Sequence, residues 1–169
     1  MIKSVLFTLL VGFPFNFLLA QEDSISVEEL FQNKIEGTQA LPQSNHQLQA
    51  RRYGLLLHKA EETPCNVYDR PDAEEPGVKY IQLTDSSFVI NAKIIDNCCF
   101  SFICDIEVVE DSVINLIAYG YGETHCACSC CFGLTYYLSI GAYTDDHEFR
   151  KIKAVMVNND RKTIMPLKK

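Results

Sequence analysis

The chain has 169 residues, of which 47% are hydrophobic, and its 22 acidic and 15 basic side chains give a formal net charge of −7 at pH 7. This length is sufficient for one domain with its own hydrophobic core. The acidic balance argues against nucleic acid and against anionic membrane surfaces as partners.

The first 20 residues have the layout of a secretory signal peptide. Lys3 gives a basic start, an apolar run covers 5–20, and the chain becomes polar at Gln21. The run is short and is interrupted by Pro14, so it is a poor membrane span. We therefore expect residues 1–20 to be removed and the mature protein to be periplasmic or secreted, with no membrane span after cleavage.

Residues 21–50 are expected to form one short N-terminal helix and a linker arm. Within them, 25–36 combine an apolar stripe with Ser26 as a cap and Gly37 as a stop, which favours a helix. The stretch 38–50 is rich in Gln, Asn and Ser. That composition predicts a loosely ordered connection.

Residues 51–169 are expected to form a cysteine-rich β-domain. Periodicity and turn residues predict strands at 53–58, 79–83 and 87–95, a turn at 84–86, and a last hairpin of 149–157 and 162–165 around a turn at 158–160. Roughly eight short strands without a long helix indicate an all-β fold, an antiparallel β-sandwich or a small barrel.

The strongest pattern predicts a meander of three antiparallel strands over 98–140. On the first strand the even-numbered positions are apolar, and Asp105 and Glu107 mark the polar face. The second, 113–121, is apolar on both faces. The third, 126–140, has an unbroken apolar row at even positions, so we expect these to be buried and the odd positions to be more exposed.

Four of the eight cysteines lie in the run His-Cys-Ala-Cys-Ser-Cys-Cys that begins at His125. Side chains on a strand alternate between faces, so Cys126, Cys128 and Cys130 are expected to share one face. The meander brings Cys98 and Cys99 to the same sheet end. We therefore expect one of these two to lie within bonding or shared-ligand distance of Cys126 or Cys128.

Cys104 is expected to lie deeper in the same sheet. The second strand would separate it from Cys130 by about 9.5 Å, which exceeds the reach of a disulfide. Cys104 and Cys130 should therefore not bond to each other. Cys104 would pair elsewhere, with Cys65 as a candidate, or stay reduced in the core.

Three chemistries suit this group of cysteines. The first is structural disulfides or inert core thiols, which an even cysteine count in an exported chain favours. The second is a copper or zinc site, because thiolates and imidazole bind these metals. Its candidate ligands are Cys126, Cys128, Cys130, His125, Cys98 and Cys99. The third is a redox-active thiol pair, which the lack of a C-x-x-C at a helix start disfavours.

No catalytic signature is present, such as G-x-S-x-G, a phosphate loop or H-E-x-x-H. We therefore expect a protein that is not an enzyme and has no cofactor, unless the metal alternative holds.

Two segments resemble known protein families. The segment from Cys98-Cys99-Phe100 through Tyr119-Gly120-Tyr121-Gly122 to Cys126 and on to Tyr136 looks like small exported bacterial proteins of unknown function, in which a C-x-C-x-C run opens a strand. That likeness implies export and a β-fold. Asn66-Val67-Tyr68-Asp69-Arg70-Pro71 followed by Ile81-Gln82-Leu83 is similar to the opening of bacterial SH3-like domains, over about 66–95. Those domains bind peptides or cell-wall polymers.

Together these features predict an exported, non-enzymatic binding or structural domain stabilised by its cysteines. The alternatives are a periplasmic copper- or zinc-binding protein that uses 125–131, and a cell-wall-associated SH3-like module. The partner would then be another protein, a wall polymer or a metal ion.

Overall fold

A computed structural model describes residues 37–41, 43–63, 75–141 and 146–168. Within these ranges the chain forms nine strands and two short helices. The strands are β1 (Gln39–Ala40), β2 (Leu55–Thr63), β3 (Gly77–Leu83), β4 (Ser87–Asn97), β5 (Ser101–Val109), β6 (Val113–Tyr121), β7 (Ser129–Ile140), β8 (Ala154–Val157) and β9 (Asp160–Pro166). The helices are α1 (Asn45–Arg51) and α2 (Asp146–Lys151).

The strands form two sheets that pack face to face. One has the strand order β1-β5-β6-β8-β9 and the other has the order β2-β7-β4-β3. Neighbouring strands are antiparallel except for β1 with β5 and β6 with β8, which are parallel. The expected all-β sandwich is therefore confirmed, and the core lies between the sheets. Its largest fully buried side chains are Tyr136, Phe88, Phe102 and Phe132.

The burial pattern of β7 follows the sequence prediction. The even-numbered residues from Cys130 to Leu138 are buried, and the odd-numbered residues from Cys131 to Ser139 are half-buried. The strand begins at Ser129 rather than at residue 126. Cys126 and Cys128 therefore lie in the loop before the strand, and they are half-buried and exposed, respectively.

The expected meander is wrong at its third strand. β5 and β6 pair antiparallel as expected, but β7 lies in the other sheet, between β2 and β4. The second edge of β6 is occupied by β8, which pairs with it in parallel. β7 instead pairs with β4 along its length, from Ser87 opposite Ser139 to Asn97 opposite Ser129. Sequence periodicity reports which face of a strand is buried, but it does not report which strand is the neighbour.

Two connections cross between the sheets at the same end of the sandwich. The β4–β5 connection leaves after Asn97 and enters β5 at Ser101, while the β6–β7 connection leaves after Tyr121 and enters β7 at Ser129. Asn97 lies opposite Ser129 in one sheet, and Ser101 lies opposite Tyr121 in the other. The two crossing segments are therefore neighbours, and they carry Cys98, Cys99, Cys126 and Cys128.

The stretch 38–50, which was expected to be a loosely ordered arm, is instead docked on the sandwich. β1 pairs with β5, and α1 packs over β5 with Gln47 and Ala50 buried. Ser44 caps the helix, because its Oγ accepts a hydrogen bond of 3.0 Å from the Gln47 backbone N–H. A Gln-rich composition did not prevent docking because Gln47 is satisfied by donating to the Leu41 carbonyl.

Docking of α1 changes the environment of the polar face of β5. Ile103, which interrupts the polar positions, is only 3% exposed there, and Asp105 is fully buried. The polar face that Asp105 marks in the sequence is therefore covered by the helix at this position. A helix that covers the outer face of a sheet buries whatever that face carries, whether it is apolar or charged.

The final hairpin is confirmed in part. β8 and β9 flank Asn158 and Asn159, which both have positive φ, at 47° and 59°. Asn tolerates this left-handed region better than most residues, as a two-residue hairpin turn requires. The expected first strand of the hairpin is shorter than predicted, because α2 occupies 146–151.

The signal peptide at 1–20, the helix at 25–36, Cys65 and the 66–71 segment of the SH3-like resemblance lie outside the described residues. In the described ranges, neither helix has the length and apolar composition required to cross a bilayer.

Candidate functional site

The candidate site is formed by the two crossing segments with the last residue of β4 and the first three residues of β7, that is 97–100 and 122–131, which we call the cysteine corner. It contains all six residues that the sequence singled out as metal or disulfide candidates. In the structure four of the six are bonded to one another, and two lie beside them.

Two disulfides join the two segments. Cys98 pairs with Cys130 across β4 and β7, with Cα atoms 4.9 Å apart, and Cys99 pairs with Cys126, with Cα atoms 5.7 Å apart. Both separations lie within the normal range for a disulfide. The expected meeting of residue 98 or 99 with residue 126 or 128 is therefore confirmed. The reason differs from the predicted one: β4 is a direct neighbour of β7, so no intervening strand has to end first.

Asn97 holds the corner together and was not recognised in the sequence. Its Oδ1 accepts from the backbone N–H groups of Cys99 and Cys126, each at 3.1 Å, and its Nδ2 donates to the Cys126 carbonyl at 2.6 Å. One side chain thus bridges both crossing segments beside the second disulfide. The sequence does carry a signal for it: an Asn at the end of a strand, directly before two cysteines, favours a turn that its side chain supports.

His125 lies at the exposed rim of the corner. Its Nδ1 is 3.1 Å from Asn97 Nδ2, and its ring packs edge-on against Phe100, with centroids 4.8 Å apart. An amide nitrogen only donates, so this contact requires Nδ1 to be the unprotonated nitrogen. His125 Nδ1 is thus used in fixing the loop, which leaves Nε2 for other partners.

Two glycines allow the crossing segments to approach closely. A Cβ at Gly122 would lie 2.6 Å from the Cys99 carbonyl oxygen, and a Cβ at Gly120 would lie 2.7 Å from Asp96 Oδ2. At Gly122 the atom met is a backbone oxygen, so a larger residue there would push the segments apart, whereas at Gly120 it is the end of a side chain.

Three described cysteines remain thiols, in three different environments. Cys128 is exposed, Cys131 is half-buried on the outer face of β7, and Cys104 is fully buried. Burial raises the pKa of the Cys104 thiol to about 12, so it stays protonated and unreactive at neutral pH. Cys104 and Cys130 are not bonded to each other, as expected.

A metal site was the alternative interpretation of this cluster. Within the described ranges, no group of three or more His, Cys, Asp or Glu side chains is arranged to hold a metal ion. Disulfide formation uses the thiolates of Cys98, Cys99, Cys126 and Cys130, so the oxidised corner keeps the thiols of Cys128 and Cys131 and the imidazole of His125.

A second polar cluster lies under α1. Asp105 Oδ1 accepts from the Ile106 backbone N–H at 2.8 Å, whereas its Oδ2 has no hydrogen-bond partner within the described ranges. Burial raises the pKa of Asp105, although the neighbouring Ser44 and Gln47 side chains oppose the rise. His46 Nδ1 lies 3.1 Å from Glu107 Oε2 nearby. This cluster fixes the helix to the sheet.

An open groove of about 470 Å³ runs beside β2. It is lined by Thr38, Lys59, Ala60, Glu61, Glu62 and Thr135. Lys59 pairs with Glu61, which also accepts from the Tyr137 hydroxyl, and Thr38 donates to Glu62. Lys59 is the one cationic side chain among these lining residues, and Glu61 neutralises it. The Glu62 carboxylate therefore leaves the groove lining with a net negative charge.

Comparison with known proteins finds no matching family, no similar curated protein and no similar solved structure.

Proposed function

We propose that the protein is an exported, non-enzymatic binding or structural domain whose fold is held by the disulfides of the cysteine corner. The observation that supports this is the pairing of Cys98 with Cys130 and of Cys99 with Cys126. Structural disulfides persist in oxidising compartments and are rare in the cytosol. Export by way of residues 1–20 would bring the chain to such a compartment.

The position of the disulfides supports a structural role for them. They join the two segments that cross between the sheets, rather than lining the groove beside β2. Cross-links at this position hold the β4–β5 connection against the start of β7 and against the segment that leads into it. The groove itself combines Thr38, Lys59 and two glutamates, whose hydrogen bonds and ion pair are directed at one another. That arrangement suits recognition of a polar group better than activation of a nucleophile.

A copper- or zinc-binding protein is the second candidate, because sulfurs close enough to bond are also close enough to chelate. Reduction of both disulfides would free four thiols beside Cys128 and His125. Thiolates and imidazole are the ligands that zinc and Cu(I) prefer. The oxidation state in the native compartment therefore decides between the two candidates.

The deciding experiment is a thiol count with metal analysis on the full chain, purified without reductant from an oxidising compartment. Eight cysteines, less the four in the two disulfides, leave at most four that react with a thiol reagent in denaturant. We expect that count and no stoichiometric metal. Eight reactive thiols with about one zinc or copper per chain, as a structural site binds, would contradict the structural proposal.

A double variant, Cys99→Ser with Cys126→Ser, is the matched control. If these residues are paired with each other, their loss leaves the count of reactive thiols unchanged. If they are free thiols, the count falls by two. The wall-associated alternative is tested on the same preparation by co-sedimentation with isolated cell walls. A wall-associated module would sediment with the walls, and a domain with another role would stay in the supernatant. Recovery of the chain in the cytosol with residue 1 still attached would contradict export.

A further inference from the structure

Cys98 has a second cysteine opposite it in the sheet, besides its bonded partner. The β4–β7 register ends with Asn97 opposite Ser129, and one step further the Cys98 backbone N–H donates to the Cys128 carbonyl at 3.2 Å. The antiparallel pairing thus continues by one residue, and Cys128 lies directly across from Cys98.

The three cysteines lie together at this end of the β4–β7 pair. Cys98 follows the last residue of β4, Cys128 precedes the first residue of β7, and Cys130 is the second residue of β7. Opposite residues have Cα atoms about 4.5–5.5 Å apart, which is within disulfide range. Cys98 is therefore within reach of the exposed Cys128 thiol as well as of its partner Cys130.

We propose that Cys128 exchanges with the Cys98–Cys130 disulfide. The Cys128 thiolate attacks Cys98 Sγ, a Cys98–Cys128 bond forms, and the Cys98–Cys130 bond breaks. Cys130 leaves as a thiolate and takes up the proton that Cys128 gave to solvent. One disulfide and one thiol are present before and after the step, so no oxidant or reductant is required.

The exchange changes the accessibility of the thiol at this end of the molecule. Before it, the free sulfur is that of the exposed Cys128; after it, the free sulfur is that of Cys130, which is only 8% exposed. An external disulfide or thiol-reactive molecule can therefore reach the exchanging thiol in the first state but not in the second. This thiol switch is independent of what the domain binds.

The test is differential alkylation of the oxidised wild-type chain. Samples are held near pH 8.5, where ordinary thiols form thiolates, or near pH 5, and are then acid-quenched. Free thiols are blocked with N-ethylmaleimide in denaturant; the disulfides are then reduced and blocked with iodoacetamide. Cleavage after Glu123 and sequencing of the fragment assign each label. We expect N-ethylmaleimide on both Cys128 and Cys130 after incubation at the higher pH, because thiolate formation speeds the exchange in both directions. Label confined to Cys128 at both pH values would overturn the proposal.

Two variants sharpen the result. In Cys130→Ser, Cys98 should pair with Cys128, so that neither takes up N-ethylmaleimide; maleimide on both would refute the exchange. Cys131→Ser is the matched control, because Cys131 lies on the other face of β7 from Cys130 and pairs with Ile95 of β4. It should leave the partition between Cys128 and Cys130 unchanged. The wild-type measurement decides the question alone if Cys130→Ser fails to fold.

Discussion

Cys99 and Cys126 form a disulfide that is nested inside the one that joins Cys98 and Cys130. The two partners are 27 residues apart in the inner bond and 32 residues apart in the outer bond. Once the outer bond is closed, the inner one adds only a very short loop. Most of the restriction of the unfolded chain is therefore supplied by whichever bond is present first.

This nesting predicts a strongly non-additive effect on stability. Loss of either disulfide alone, by paired Cys→Ser changes, should lower the free energy of unfolding by about 1 kcal/mol, whereas loss of both should lower it by roughly 3–4 kcal/mol. Denaturant unfolding without added thiol measures all three variants. Two single losses that add up to the double loss would contradict the nested-loop account.

The hydrogen bonds of Asn97 give the second prediction. Asn97→Ala removes the side-chain hydrogen bonds to Cys99, Cys126 and His125, of which those to Cys126 and His125 bridge the two segments. We expect a loss of about 2 kcal/mol in the free energy of unfolding. Asn91→Ala is the matched control, because Asn91 makes a single side-chain bond, 2.9 Å long, to Thr135. Denaturation curves that show equal losses for both variants would argue against Asn97 as the organiser of the corner.

The buried row of β7 gives the third prediction. Leu134 and Leu138 are 0% and 2% exposed, so Leu134→Ala or Leu138→Ala should each cost about 2–5 kcal/mol. Thr135→Ala, on the half-buried face of the same strand, should cost about 1 kcal/mol or less. Urea unfolding compares the three. A larger loss at residue 135 than at 134 would mean that the register is wrong by one residue.

The buried carboxyl of Asp105 gives the fourth prediction. Because burial raises its pKa in the folded state above that in the unfolded chain, the protonated form contributes stability below the unfolded-state pKa. This contribution is lost as the pH rises through the folded-state pKa. Asp105→Asn removes the penalty for charging a buried group. The free energy of unfolding of the variant should therefore rise relative to that of wild type as the pH rises, by about 1 kcal/mol near pH 8.

Thermal or chemical unfolding from pH 4 to pH 8 checks this expectation. Asp85→Asn, in the exposed β3–β4 turn, is the control and should show no such divergence from wild type. Parallel curves for Asp105→Asn and wild type would mean that Asp105 carries no pH-dependent penalty.

The amino-acid sequence alone determined the fold class and the buried face of its strongest strand. Alternation from Cys130 to Leu138 required burial of the even positions, because a strand exposes its two faces with a period of two. The sequence also predicted that Cys98 or Cys99 would meet the 126–128 segment. That prediction held because the two cysteine groups lie at the same end of the fold in both arrangements. In the predicted meander β6 would separate β5 from β7, and in the structure β4 pairs directly with β7.

Only the tertiary structure decided which strands are neighbours, which cysteines pair and what covers the outer face of β5. Pairing β7 with β4 rather than with β6 depends on competition between distant strands for the same edge, which local patterns do not encode. The burial of Asp105 depends on α1, whose Gln-rich sequence has little apolar surface and docks through specific hydrogen bonds. Asn97 became visible as the organiser of the corner only when folding brought Cys99 and Cys126 to either side of its amide. Interactions between residues far apart in the chain follow from the closed fold, because each depends on the positions of all the elements at once.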